Sequence, residues 1–191
     1  MSEDLIGRLL VAPLHEAVTQ VLPARLDFYE YWLHTGGLRD GSIGLAPMTA
    51  VLGFLRAEGE AYHRVMAEAG RLAADWTIDG MSATRHTLTM KLPRSLRLRA
   101  ALSSVGRIAQ EGYRPCRTAT RLRRGAMRFD IRNSLFCRVR GEQSAPLCTY
   151  HLAVLSRVAA RCELPIEARL DSCCAMGGAS CAIALSWSAS A

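Results

Sequence analysis

Arg117-Thr-Ala-Thr-Arg-Leu-Arg-Arg-Gly-Ala-Met-Arg-Phe-Asp-Ile-Arg132 is the stretch that decides the fold class. Thr118, Thr120 and Leu122 alternate among arginines on one side of Arg124-Gly125, and Met127, Phe129 and Ile131 alternate with Arg128, Asp130 and Arg132 on the other. A period of two belongs to a strand with one buried and one wet face. Two such runs joined at a glycine therefore read as a β-hairpin.

Downstream, Pro146 opens a helix whose stripe is Cys148, Leu152, Leu155, Ala159 and Cys162, and Pro165 closes it. Ile166, Ala168 and Leu170 then alternate with Glu167, Arg169 and Asp171 as a third strand. Gly177-Gly178 turns the chain, and Cys181, Ile183, Leu185 and Trp187 form a fourth.

Upstream the period is helical. Ala24 to His34 is a short amphipathic stretch stopped by Gly36-Gly37. From Ala46 to Trp76 the apolar positions Val51, Phe54, Leu55, Tyr62, Val65, Met66, Ala69, Leu72 and Trp76 recur at threes and fours. Pro47 suits a first turn and Gly59 a break, so this is one long helix or two. Leu96, Ala100, Val105, Ile108 and Ala109 give another, ending near Gly112. The expected fold is α+β, with N-terminal helices packed on a C-terminal antiparallel sheet in β-β-α-β-β order. It is read as one domain over residues 1–191, helical in 1–112 and sheet-containing in 113–191.

The 191 residues are half hydrophobic and 21% charged, enough for a substantial core without staples. The longest apolar runs, around Leu45 to Leu55 and Leu152 to Ala160, fall well short of a bilayer's roughly 20 residues. The acidic start lacks a secretory signal's character, so a cytoplasmic location is expected. Charge is lopsided: residues 1–95 carry nine basic and eleven acidic groups, residues 96–191 fifteen and six. All but one of the 24 basic residues are arginine, and thirteen fall between Arg94 and Arg140 against only Glu111 and Asp130. Such a surface attracts anions, although a coding bias toward Arg and Ala produces the same composition.

Of seven cysteines, Cys148, Cys162, Cys173, Cys174 and Cys181 crowd into the last 44 positions. In a reducing compartment that clustering suggests a metal site or buried thiols rather than disulfides. The segment Cys173-Cys174-Ala-Met-Gly177-Gly178-Ala-Ser-Cys181 sets thiols on both sides of a glycine turn, and Cys148 opens the preceding helix. Three cysteines so placed supply most of a tetrahedral zinc site. Histidines His15, His34, His63, His86 and His151 make no paired motif, and no phosphate loop, nucleophile elbow or dinucleotide fingerprint is present, which leans away from an enzyme.

Asn133-Ser134-Leu135-Phe136, Cys148 after Pro146, and Cys173, Ala175, Gly177 and Cys181 in their spacing resemble the end of the 4-vinyl-reductase domain family. The likeness covers about residues 126–187. That family includes a bacteriochlorophyll-synthesis protein and sensor domains for aromatic compounds, and is related to transport-complex subunits that bind acyl chains. The resemblance implies a homodimer enclosing an apolar pocket, closed at one end by a structural zinc held by Cys148, Cys173 and Cys181. The family's glutamate falls on Leu170 and its aspartate on Gly178. The fourth ligand is thus open among Asp171, Cys174 and Cys137. Strand parity puts Asp171 on the face of Cys173 and so ahead of Cys174.

The leading functional reading is a binding domain for a small hydrophobic, optionally anionic molecule, a tetrapyrrole or aromatic compound, acting as carrier, sensor or pathway accessory. Its candidate ligand residues are Phe129, Arg132, Phe136 and Trp76. A tetrapyrrole vinyl reductase and a protein-interaction module are the alternatives, and the thiols also admit an iron–sulfur cluster. Nucleic-acid binding through the arginine-rich segment ranks below these. Only Tyr113, Phe129 and Phe136 interleave there, too few for a stacking platform. A homodimer through the helices of residues 46–76 is expected from their surplus of apolar positions.

Overall fold

The computed structural model describes residues 5–33, 42–123 and 126–187. The turn at Arg124-Gly125, the stop at Gly36-Gly37 and His34 lie outside the described residues. A short antiparallel pair, β1 (Leu5–Gly7) and β2 (Ser42–Gly44), brackets helices α1 (Arg8–Val21) and α2 (Leu26–Leu33). Then follow α3 (Leu45–Ala57), α4 (Glu60–Asp79), α5 (Ala83–Met90) and α6 (Arg94–Gly112). Gly59, at φ 61°, breaks the long apolar run into α3 and α4, because only glycine takes that conformation without strain.

The C-terminal part begins with the hairpin β3 (Arg117–Arg123) and β4 (Ala126–Arg132), followed by α7 (Thr149–Arg161), β5 (Ile166–Ser172) and β6 (Cys181–Trp187). These strands make one antiparallel sheet in the order β3-β4-β6-β5. The expected α+β class is the one observed. Phe129 lies between Thr120 and Ile183, and Ile131 between Thr118 and Cys181, so the alternating apolar positions form one inner face. The opposite face carries the row Arg121, Arg128, Ala184 and Arg169. Asp130 answers two of these arginines, at 2.8 Å from Arg121 and 2.9 Å from Arg128.

Helices α6 and α7 cover the inner face, α6 along β3 and α7 along β5, and α4 packs against α7 and α1. Buried apolar residues from Ile6 to Leu185 form one contiguous core cluster. Helices α4 and α7 approach closely at Gly70, where a Cβ would stand 2.4 Å from the Tyr150 carbonyl oxygen and 2.9 Å from the Ala153 Cβ. Gly70→Ala should therefore push α4 off α7. Despite alanine's better helix propensity we expect a loss of about 1–2 kcal/mol, read from urea melts.

Candidate metal centre and ligand groove

Four chain segments converge at the sheet end nearest α7. Asn133, at φ 55°, ends β4 in a left-handed conformation that a short polar side chain tolerates, and drops the chain into the 3-10 turn Leu135–Cys137. Leu135 and Phe136 anchor that turn in the core, leaving the Cys137 thiol at its inner end. Cys148 is the N-cap of α7. Cys173 leaves β5 and Cys181 opens β6, joined by the turn Cys174–Met176 and by Gly177 at φ 80°. That positive φ is what favours glycine there; a Cβ would meet only the end of the exposed Glu142 side chain, 2.6 Å away, which can swing aside.

The thiols of Cys137, Cys148, Cys173 and Cys181 all lie within 4.8 Å of one another. Cys137 Sγ is 3.2 Å from Cys148, 3.4 Å from Cys173 and 3.4 Å from Cys181, and Cys148 is 3.8 Å from Cys173. A tetrahedron with Zn–S bonds of about 2.3 Å has edges of about 3.8 Å, so this set needs only slight opening to hold one ion. All four are free cysteines, and three are fully buried.

The four thiols divide into two kinds: Cys137 and Cys173 are shifted toward the ionised form, Cys148 and Cys181 toward the protonated one. The neighbouring thiols and the Leu147 backbone N–H donate to Cys173 and hold its thiol far below the usual range, against the cost of burial. The proton is kept instead on Cys148, raised by its hydrogen bonds to the same neighbours. Cys174 N–H donates to Cys181 Sγ at 3.4 Å. Behind this, Tyr62 Oη donates to the Leu147 carbonyl at 2.9 Å, on the other side of the residue whose N–H faces Cys173. Ser134 Oγ sits 3.9 Å from Cys148 Sγ and 3.3 Å from His151 Nε2. Burial pushes His151 down to about 4, so it is neutral at pH 7.

The fourth thiol is Cys137, and the structure places Asp171 and Cys174 elsewhere. Pairing jumps from Leu170 opposite Ile183 to Ser172 opposite Ala182, so Asp171 is the extra residue of a β-bulge. The bulge breaks the alternation on which strand parity rests. Asp171 is exposed and accepts from Arg128 Nη1 at 2.5 Å, while Cys173 is buried. Cys174 contributes its backbone N–H and not its thiol. The signal for Cys137 was its place immediately after Asn133-Ser134-Leu135-Phe136, where the strand must turn.

Phe129, buried on the inner face, lines a groove of about 770 Å³ between α6 and the sheet. Its floor is Leu98, Leu102, Met127 and Phe129, and Trp187, 46% exposed, stands at one end. Phe136 does not line this groove. It packs at 5.0 Å against Tyr150 in the core, beside a gap of only about 10 Å³. Arg132 is exposed, across from Arg117 on the outer face, and Trp76 is 41% exposed on α4, and neither lines the groove.

No family model and no curated protein matches the chain. Among solved structures it is similar to the phenol-responsive sensory domain of the transcription activator PoxR with phenol, at a TM-score of 0.51 and 15% identity, over 75% of this chain and 74% of that one. It is also similar to an H-NOX domain from Shewanella oneidensis in the Fe(II)CO ligation state, at a TM-score of 0.51 and 12% identity, over 95% of this chain and 98% of that one. At such identities the likeness is one of fold. The α+β architecture is thus shared with a phenol-sensing domain and with an H-NOX domain.

Proposed function

We propose that the chain is a single binding domain for a small hydrophobic molecule, an aromatic compound or tetrapyrrole, acting as sensor, carrier or pathway accessory. The observation that carries this reading is the groove, whose size lies within the roughly 300–1,000 Å³ of small-molecule sites and whose floor is apolar. The shared fold supports it, and so does the resemblance of residues 126–187 to the 4-vinyl-reductase family. Cys137, Cys148, Cys173 and Cys181 hold one structural zinc that ties the end of β4 to α7, β5 and β6. Four converging cysteines, three of them buried, suit a tetrahedral ion, and their closeness within 4.8 Å favours a single ion over the larger core of an iron–sulfur cluster. Among the described residues no helix is long and apolar enough to cross a membrane.

Titrating the neutral probe biphenyl-4-carboxamide should quench Trp187 saturably, and Trp187→Phe should remove that signal while calorimetry still detects binding. Thr120, exposed on the inner side of β3 and lining the groove, is the position to fill. Thr120→Trp should weaken uptake about tenfold or more by occupying the site. No saturable binding would leave the groove as a face for another protein.

A further inference from the structure

Helix α6 presents two rows to the groove, each at a spacing of four residues. Leu98, Leu102 and Gly106 form the apolar row, and Ser95, Arg99, Ser103 and Arg107 form a polar row at the rim. The apolar row can lie close to the sheet because residue 106 is glycine: a Cβ there would stand 2.7 Å from Thr118 Oγ1. The rim row carries two arginines and no acid.

The protein's own carboxylates hold these arginines loosely or not at all. Among the described residues no carboxylate lies within 4 Å of Arg99. Arg107 meets one carboxylate among the described residues, Glu111, at 3.8 Å on the surface of its own helix. Some arginines are neutralised closely, Arg128 by Asp130 and Asp171, and Arg157 and Arg161 by Asp75, whereas the rim pair faces the groove with at most one distant carboxylate. What is particular here is the placement: two guanidinium groups, one unpaired and one only loosely paired, stand along one rim of an apolar floor.

We infer that the groove's ligand is an amphiphilic carboxylate, its apolar body on Leu98, Leu102, Met127 and Phe129 and its acid at the α6 rim, with Arg99 as first partner and Arg107 as second. This rests on the groove being a binding site and names the class of molecule it takes. A guanidinium meets a carboxylate through two parallel hydrogen bonds. With the head at the rim, neither the acid nor the arginines need be stripped of water completely, which a charge on the apolar floor would require. The two arginines lie two helical turns apart, about 12 Å along the axis, so ligands of different length can seat their acid against one or the other.

The test compares biphenyl-4-carboxylate with biphenyl-4-carboxamide, equal in shape and differing in charge, by calorimetry on the full chain. The carboxylate should bind about tenfold or more tighter, as charge-assisted hydrogen bonds predict. In the double variant Arg99→Gln, Arg107→Gln the preference should shrink to about twofold, with carboxamide affinity unchanged as the check on folding. Equal binding of the two probes by the parent overturns the inference and leaves the groove a neutral-ligand site. A preference that survives in the double variant overturns it too, since the acid then sits elsewhere. Binding of neither probe, or binding unaffected by Thr120→Trp, removes the groove reading and the inference with it.

Discussion

Cys173→Ser should strip the metal and lower the melting temperature by about 10 °C or more. A loss of about 3–5 kcal/mol is expected for a structural ion, and a domain of this size shifts about 2–4 °C per kcal/mol. Cys173 is held toward its ionised form by its neighbours and by the Leu147 N–H, and serine offers neither sulfur's softness nor its ready ionisation. Without an ion, the remaining thiols stay buried in a space shaped for charge neutralisation. Elemental analysis and calorimetry of the parent, the variant and a chelator-treated parent form the measurement. Cys162→Ser and Cys174→Ser should keep the metal, because neither thiol belongs to the cluster. A metal-free parent that melts like Cys173→Ser would return the four residues to the role of small buried hydrophobes.

The sheet was legible in the sequence because its inner and outer faces differ so sharply. Met127, Phe129 and Ile131 against Arg128, Asp130 and Arg132 leave only one register that buries the apolar set. Helices α3, α4 and α6 announced themselves through apolar spacing, with Gly59 as their break. The pair β1 and β2 did not, since three-residue strands carry no period. At the metal centre Cys148, Cys173 and Cys181 could be grouped from turn and helix signals. Choosing the fourth residue required knowing that β5 bulges at Asp171 and that Asn133 turns Cys137 inward, both tertiary facts. The groove was the least legible part. Phe129 could be assigned to an inner face by alternation, but its neighbours Arg99 and Arg107 come from a helix whose rotation over the sheet is set by Gly106 against Thr118.

The second large effect is expected at Asp75, a carboxylate 8% exposed on α4. Its Oδ1 accepts from Arg157 Nε and Arg161 Nη1, each at 2.8 Å, and its Oδ2 accepts from Arg71 Nη1 at 3.0 Å. Arg157 and Arg161 belong to α7, so this one side chain clamps the helix pair that also meets at Gly70. Burial alone would raise the Asp75 carboxyl, but the hydrogen bonds and charges of Arg157 and Arg161 outweigh it and hold the group below its ordinary range. Asp75→Asn keeps the shape and leaves three guanidinium groups with less to answer them. Breaking a fully buried pair costs about 3–5 kcal/mol, and because these arginines are 31–42% exposed on their side chains we expect about 2–3 kcal/mol. The sign with pH follows from the depressed value. The carboxylate's contribution is complete above its unfolded value of 3.8 and is lost as pH falls through the lower folded one. Denaturant melts of parent and variant should therefore differ by a constant amount from about pH 8 to 5 and converge below about pH 4. Loss of metal in acid affects both proteins alike and leaves the difference between them intact. A gap that stays constant through pH 3, or one that is absent at pH 7, would show that the clamp rests on packing rather than on charge.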